Sequence, residues 1–319
     1  MTALRKYAFA LGPLTAAALW GGMYVVSKWS FAFVPPVTMG FLRVTVGAVA
    51  LWLSVRASDW RARRDAGGNR RNRIDPGDWP AFVVLGCWVT ATIVTQFLGT
   101  ELTNASQGSL LTVLTPVFAV VLGASVLGEH VTRAKASGIA LAAVGTVIVL
   151  AGQYDLTSVA AGNAAGVALL VLASLAWAGY TVWGVSVVRT YGALTAATYS
   201  TIAATPMLAA LAAVELAVLG RGIGSIPLSA DVVFAVAYLG LASTAAAWYV
   251  WYKGLEFVPA GTVAVFYFVQ PVVGISLGSI LLGEQIGSGF ALGSLVIALG
   301  VWVVSRERGD DTDTDSAER

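Results

Sequence analysis

Charge is scarce in this sequence. Of its 319 residues, Asp, Glu, Lys and Arg make up only 11%, against roughly a quarter in an ordinary soluble domain. A soluble fold of this length would need polar side chains for its surface, and this chain does not supply them. Cysteine and histidine are nearly absent as well. Cys87 stands alone, which excludes an intramolecular disulfide, and His130 is the single histidine, which argues against a Cys/His metal site. The pattern G-x-x-x-x-G-K-[ST] is also missing, so the chain encodes no P-loop for ATP hydrolysis. With one His, one Cys and few buried acids, an intramembrane enzyme lacks its catalytic constellation. No cofactor or metal is expected.

What fills the chain instead is apolar: 57% of residues are hydrophobic and the mean hydropathy is +0.78. A transmembrane helix needs about 20 mostly apolar residues, whereas barrel strands show short alternating segments. The runs here are long and do not alternate. They predict an all-α membrane protein with ten transmembrane helices, near 8–27, 36–55, 79–98, 108–127, 136–151, 164–188, 195–219, 232–251, 260–282 and 290–304. The first run has no convincing cleavage site and ends in Lys28 and Trp29, so it reads as a retained span.

Basic residues orient the spans. Fifteen of the nineteen Lys and Arg fall on the side shared by both termini, against Lys28 and Arg221 on the other. That side is expected to be the cytoplasm, in a cell (cytoplasmic) membrane crossed many times. The loop 56–78 carries "RARRDAGGNRRNR", which has no interleaved aromatics and matches no nucleic-acid reading module. Its reading is a topology-fixing loop that touches anionic lipid. The tail 306–319, "RERGDDTDTDSAER", is acidic and Ser/Thr-rich and is expected to be disordered.

One sentence in the chain is written twice. "LTPVFAVVLGASVLGE" (Leu114 to Glu129) and "VQPVVGISLGSILLGE" (Val269 to Glu284) superpose on a shift of 155, which brings Pro116 onto Pro271, Gly123 onto Gly278, Gly128 onto Gly283 and Glu129 onto Glu284. The register extends outward, with Glu101 on Glu256, Ala105 on Ala260, Gly138 on Gly293 and Gly145 on Gly300. Near the start of each copy a shift of 157 aligns Trp20 with Trp177 and Gly22 with Gly179. The chain is therefore read as a first five-helix unit at 1–152 and a second at 153–305. Because five is odd, the second unit enters the membrane inverted. Inverted repeats are a signature of secondary transporters, whose halves rock about a shared site.

The same residues carry a family resemblance. "ALWGGMYVVSK", "FLRVTVGA", "LTNASQGSLLTVLTPVFAVVLGASVLGEHVT" and "FVPAGTVAVFYFVQPVVGISLGSILLGEQI" resemble the EamA family of the drug/metabolite transporter superfamily over nearly the whole chain. The second half departs at "AWAGY", with Ala178 between Trp177 and Gly179, and the Arg-rich loop is not part of the pattern. The resemblance implies ten helices with cytoplasmic termini around a central cavity, and export of small metabolites such as amino acids. Drug or multidrug efflux, uncoupled facilitation and exchange are the alternatives, with a channel or an enzyme behind them.

Candidate residues follow from polarity inside apolar helices, which usually faces a bundle interior. Trp20, Tyr24 and Ser27 share a face of the first helix, and Trp177, Tyr180 and Thr181 occupy the matching region of the sixth. Thr92 and Gln96 are four apart; Thr112 and Thr115 correspond by the repeat to Tyr267 and Gln270; Trp248 and Tyr252 share a face. Together with Arg43 these form the candidate substrate-binding set, although ordinary packing and interface belts are the competing explanation for any one of them. Arg43, well inside the second span, binds a substrate carboxylate, pairs with an acid from another helix, or snorkels to the interface. Pro116 and Pro271 are candidate flexing points. Glu129 and Glu284 are expected to sit near the start of the helix that follows each, favoured by its dipole, with Glu101 and Glu256 read alike. Glu215 is the nearest thing to a buried acid, close to Arg221. Gly274 with Gly278, and Gly289 with Gly293, allow close helix contact within a monomer or in a homodimer. The expected partners are a small-molecule substrate and membrane lipid, with no nucleic acid.

Overall fold

The computed structural model describes residues 8–66, 74–103, 108–109, 111–112, 114–153, 163–282 and 288–317. Gly283, Glu284, Ala105 and the arginines at 70, 71 and 73 lie outside the described residues. Among those described, every regular element is helical. In chain order these are α1 (Ala8–Gly21), α2 (Met23–Ser30), α3 (Pro36–Ala66), α4 (Trp79–Leu102), α5 (Leu114–Leu127), α6 (Arg133–Gln153), α7 (Ala164–Tyr191) and α8 (Ala193–Val218). Then follow α9 (Ala230–Ala237), a π-helical segment (Tyr238–Ala246), α10 (Ala247–Leu255), α11 (Ala260–Val265), a 3-10 turn (Phe266–Phe268), α12 (Val269–Leu282) and α13 (Phe290–Ala317). Six helices among the described residues are long and apolar enough to cross a membrane: Ala10–Ser30, Pro36–Arg61, Pro76–Leu102, Ala164–Tyr191, Ala193–Val218 and Ala230–Leu255. Leu114–Leu127, Ala260–Ser276 and Phe290–Ser305 are shorter apolar helices. The chain is a multi-pass membrane protein.

Three helix starts are closed by carboxylates that arrive from elsewhere in the chain. The Glu215 side chain, on α8, accepts from the Val37 and Thr38 amides at the start of α3 at 2.9 and 2.7 Å. Glu256 accepts from Ala193 N at the start of α8 at 2.8 Å. Glu129 accepts from Ala260 N and Gly261 N at the start of α11 at 2.7 and 3.2 Å. Each satisfies amides that have no partner within their own helix and places negative charge at a positive dipole end. Glu129 is expected to serve the start of the helix that follows it; its carboxylate instead caps the amides of α11 and meets α6 through Lys135 Nζ at 3.2 Å. Gly128, with φ +67°, turns the chain back so that the carboxylate reaches α11.

The two prolines read as candidate flexing points lie at helix starts. Pro116 and Pro271 each occupy the first turn of a helix, where no amide is needed, and the interruption lies just ahead, around Thr112 and at Phe266–Phe268. Helix α13 runs on to Ala317, across the stretch expected to be disordered. No proline stops it there, and Arg306, Glu307 and Arg308 are good helix formers.

In the main core, α4 packs on α7 and α8, α3 on α8 and on the π segment, α5 on α7, and α1 on α10 and α12. A second apolar cluster lies where α6 runs along α13. Those two helices approach until a Cβ on Gly145 would lie 2.7 Å from Gly293 O, and one on Gly138 2.8 Å from Gly300 O. Gly274 approaches Gly21 O in the same way. The small-residue pairs therefore serve contacts inside the monomer at Gly274 and Gly293.

Candidate functional site

At the centre of the bundle, residues from both halves meet around a cavity of about 10 Å³, room for roughly one water molecule. Trp20, Met23, Arg43, Thr92, Ile93 and Gln96 line it from the first half, with Thr112 and Thr115; Ala173, Trp177, Trp248 and Tyr267 line it from the second. Every one of these is buried.

The aromatic wall is a connected set of rings. Trp20 meets Trp177 edge-on at 5.1 Å and Tyr267 at 5.5 Å between centroids. Trp177 contacts Trp248 at 5.4 Å. Contacts of this kind contribute about 0.5–1.5 kcal/mol each beyond the area they bury. Trp251 belongs to the same set, 5.2 Å from Trp20, and the sequence reading missed it. Its signal was there in "WYVWY", three residues after Trp248, which puts it on the same side of the helix.

The polar wall is held by long-range hydrogen bonds. Gln96 Nε2 donates to the Tyr24 hydroxyl at 2.7 Å, and Gln270 Nε2 to Trp20 O at 3.3 Å. Trp20 Nε1 donates to Ser243 O at 2.8 Å. That carbonyl lies in the π segment, where the wider turn shifts backbone partners by one residue; such segments recur at functional sites. Arg43 is 1% exposed. It donates through Nε to Thr244 Oγ1 at 2.9 Å and through Nη2 to Ser243 O and Oγ at 3.2 and 3.3 Å. Its Nη1 faces Met23 Sδ at 3.2 Å, and the Phe97 ring lies 5.4 Å away. Gly47 and Gly240 make this reach possible: a Cβ on Gly47 would meet the Thr244 side chain at 2.6 Å, and one on Gly240 would meet Val46 at 2.7 Å. Neither snorkelling nor an acid partner among the described residues accounts for Arg43.

Of the sequence candidates, Trp20, Arg43, Thr92, Gln96, Thr112, Thr115, Trp177, Trp248 and Tyr267 come together at the cavity. Tyr24 and Gln270 support it through the bonds above. Tyr180, Thr181 and Tyr252 stand behind the wall and do not line it. Thr181 Oγ1 accepts from Trp251 Nε1, the Tyr252 hydroxyl donates to Tyr180 O, and the Tyr180 hydroxyl pairs with Ser200. Pro116 is buried directly after Thr115 of the wall, and Pro271 is buried directly after Gln270. Ser243 and Thr244 were missed because single small hydroxyls in an apolar run carry no distinctive pattern. Four buried groups around the cavity, Thr92 Oγ1, Thr115 Oγ1, Trp177 Nε1 and Gln270 Oε1, make no hydrogen bond with a described residue.

The sequence pattern of the EamA-like transporter family matches residues 7–151 and again residues 164–306. The chain belongs to that family. An uncharacterized transporter of Archaeoglobus fulgidus is 28% identical over 91% of this EamA-like chain and 95% of its own length. The uncharacterized transporter YwfM of Bacillus subtilis is 26% identical over 93% of each. A probable terminal-alkyne amino-acid exporter of Streptantibioticus cattleyicolor is 28% identical over 91% of this chain and 93% of its own. A solved crystal structure shares the fold, with a TM-score of 0.71 at 20% identity over 94% of this chain and 97% of that one.

Proposed function

We propose that this EamA-like transporter is a ten-span secondary carrier of the cytoplasmic membrane that exports small amphipathic metabolites, amino acids or related compounds, by alternating access. The observation that carries the reading is the central cavity, lined by buried residues of both halves, three of which (Thr92, Thr115 and Trp177) carry a polar atom that makes no hydrogen bond with a described residue. Each unpaired buried group costs about 1–3 kcal/mol, an expense that a packed core avoids and a ligand site uses. A volume of 10 Å³ is far below the roughly 300–1,000 Å³ of an occupied small-molecule site. A cavity this small fits a carrier in a closed state, whose halves would part to admit cargo.

Two inverted five-helix halves are supported by the contacts themselves. The shift of 155 turns the contact of Gly138 with Gly300 into that of Gly293 with Gly145, and both occur. The packing of α4 on α7 has its counterpart in that of α10 on α1, and α5 on α7 in α12 on α1. The helix interruption around Thr112 recurs at Tyr267. The family pattern likewise matches once in each half. Amino acids are favoured as cargo by the relative named a probable amino-acid exporter and by the aromatic and hydrogen-bonding wall. The distribution of basic residues supports cytoplasmic termini.

Counterflow in liposomes tests the reading. Purified protein preloaded with an unlabelled amino-acid mixture is expected to accelerate saturable entry of a labelled member. Linear, non-saturating entry would instead favour a pore, and chemical conversion an enzyme.

A further inference from the structure

We propose that Arg43 is the docking group for a carboxylate on the transported metabolite; this deepens the carrier reading and rests on it. A guanidinium keeps its proton at physiological pH and presents five N–H donors in a planar fork suited to a carboxylate. Here that charge is 1% exposed and every partner among the described residues is neutral: the Thr244 hydroxyl, the Ser243 carbonyl and hydroxyl, and the Met23 thioether. Among the described residues Nη1 meets only sulfur, a weak acceptor.

No carboxylate among the described residues pairs with it. Glu101, Glu129, Glu215 and Glu256 are committed to helix ends or to lysines. A buried cation without a counter-ion is among the most expensive arrangements in a protein, and inside a membrane it marks a functional site. On the same cavity wall the Trp177 indole N–H and the Thr115 and Thr92 hydroxyls have no hydrogen-bond partner among the described residues, so donors for a second carboxylate oxygen are present. Among the described residues no acid lines the cavity to compete for Arg43. The rest of the ligand faces indole rings, which accept apolar groups and attract an ammonium through their π faces. The class is therefore small carboxylates with an apolar, aromatic or α-amino part. Docking would draw Arg43 from Ser243 and Thr244, so cargo competes directly with the π segment for the guanidinium.

Matched probes on shared scaffolds test this: L-phenylalanine and L-leucine, the corresponding acids without the amine, the amides, and the decarboxylated amines. Binding is read from tryptophan fluorescence of the purified protein, and transport from counterflow. The acids and amino acids are expected to bind about 30-fold or more tightly than the amides and amines, as for loss of one member of a buried charge pair. Arg43→Gln is expected to abolish that preference. Should Arg43→Gln fail to fold, Thr244→Val, which removes a competing partner and keeps the cation, is expected to tighten carboxylate binding.

Equal binding of amides and acids, no response to any carboxylate, or carboxylate binding weakened by Thr244→Val would overturn the assignment. Saturable counterflow of an amine, unaffected in Arg43→Gln, would overturn it while leaving the carrier reading intact. Arg43-dependent carboxylate binding with no counterflow would do the reverse.

Discussion

Single side chains in this protein are constrained mostly by what stands across a helix interface. Gly145 is the clearest case, because a Cβ there would lie 2.7 Å from both Gly293 O and Ile297 N, backbone atoms that cannot swing aside. Gly145→Ala should therefore lower stability by about 1–3 kcal/mol, the usual penalty of overpacking. Gly222→Ala is the control, since nothing lies within 4 Å of its would-be Cβ, and it should stay within about 0.5 kcal/mol of the parent. Thermal unfolding in detergent measures both, and equal midpoints would contradict the close approach. Tyr24 offers a polar counterpart. Its hydroxyl is the acceptor for buried Gln96 Nε2, so Tyr24→Phe should cost about 1–3 kcal/mol by orphaning that donor, while Tyr24→Trp adds bulk where Gly108 already approaches the ring. The phenylalanine variant unfolding at the parent's temperature would count against the bond.

At the scale of elements, the carboxylates that cap distant helices are the joints of the fold. Glu129 joins the turn after α5 to the start of α11 and also pairs with Lys135 at 3.2 Å, with side chains 11% and 6% exposed. Lys28 and Glu101 form a pair of similar length, but 34% and 45% exposed. Glu129→Ala should destabilise by about 3–5 kcal/mol, because it strands a buried ammonium, whereas Glu101→Ala should cost less than about 1 kcal/mol. Adding Lys135→Met to Glu129→Ala should recover part of the loss. Denaturation midpoints of the parent and the three variants decide it, and a double variant no more stable than Glu129→Ala would refute the buried-charge explanation.

For the whole molecule, the proposed topology makes a prediction that needs no substrate. The turn containing Arg133 and the segment around Gly222 belong to opposite faces of the membrane under two inverted halves. Single cysteines at these positions, in a Cys87→Ser background because Cys87 is exposed, should be labelled by a membrane-impermeant thiol reagent from opposite sides of intact cells or vesicles. Labelling from the same side would overturn the inversion. The contact pairs related by the shift of 155, such as Gly138 with Gly300 and Gly145 with Gly293, tie that topology to the packing.

The apolar runs, their repeat and the family resemblance were all legible from residues alone. Lipid demands long stretches of side chains without charge, and a duplicated unit keeps its glycines and prolines in register. Nine of the fourteen candidate residues reach the cavity because polarity inside an apolar helix is costly unless it faces inward. Tertiary structure alone decided the rest. Arg43 meets partners two hundred residues away, Glu129 caps a helix 131 residues on, and Tyr180, Thr181 and Tyr252 turn their polar atoms to Ser200, Trp251 and the Tyr180 carbonyl behind the wall. Local spacing sets which face of a helix a side chain occupies. Only the docking of helices far apart in the chain determines which charge, hydroxyl or ring that face will meet.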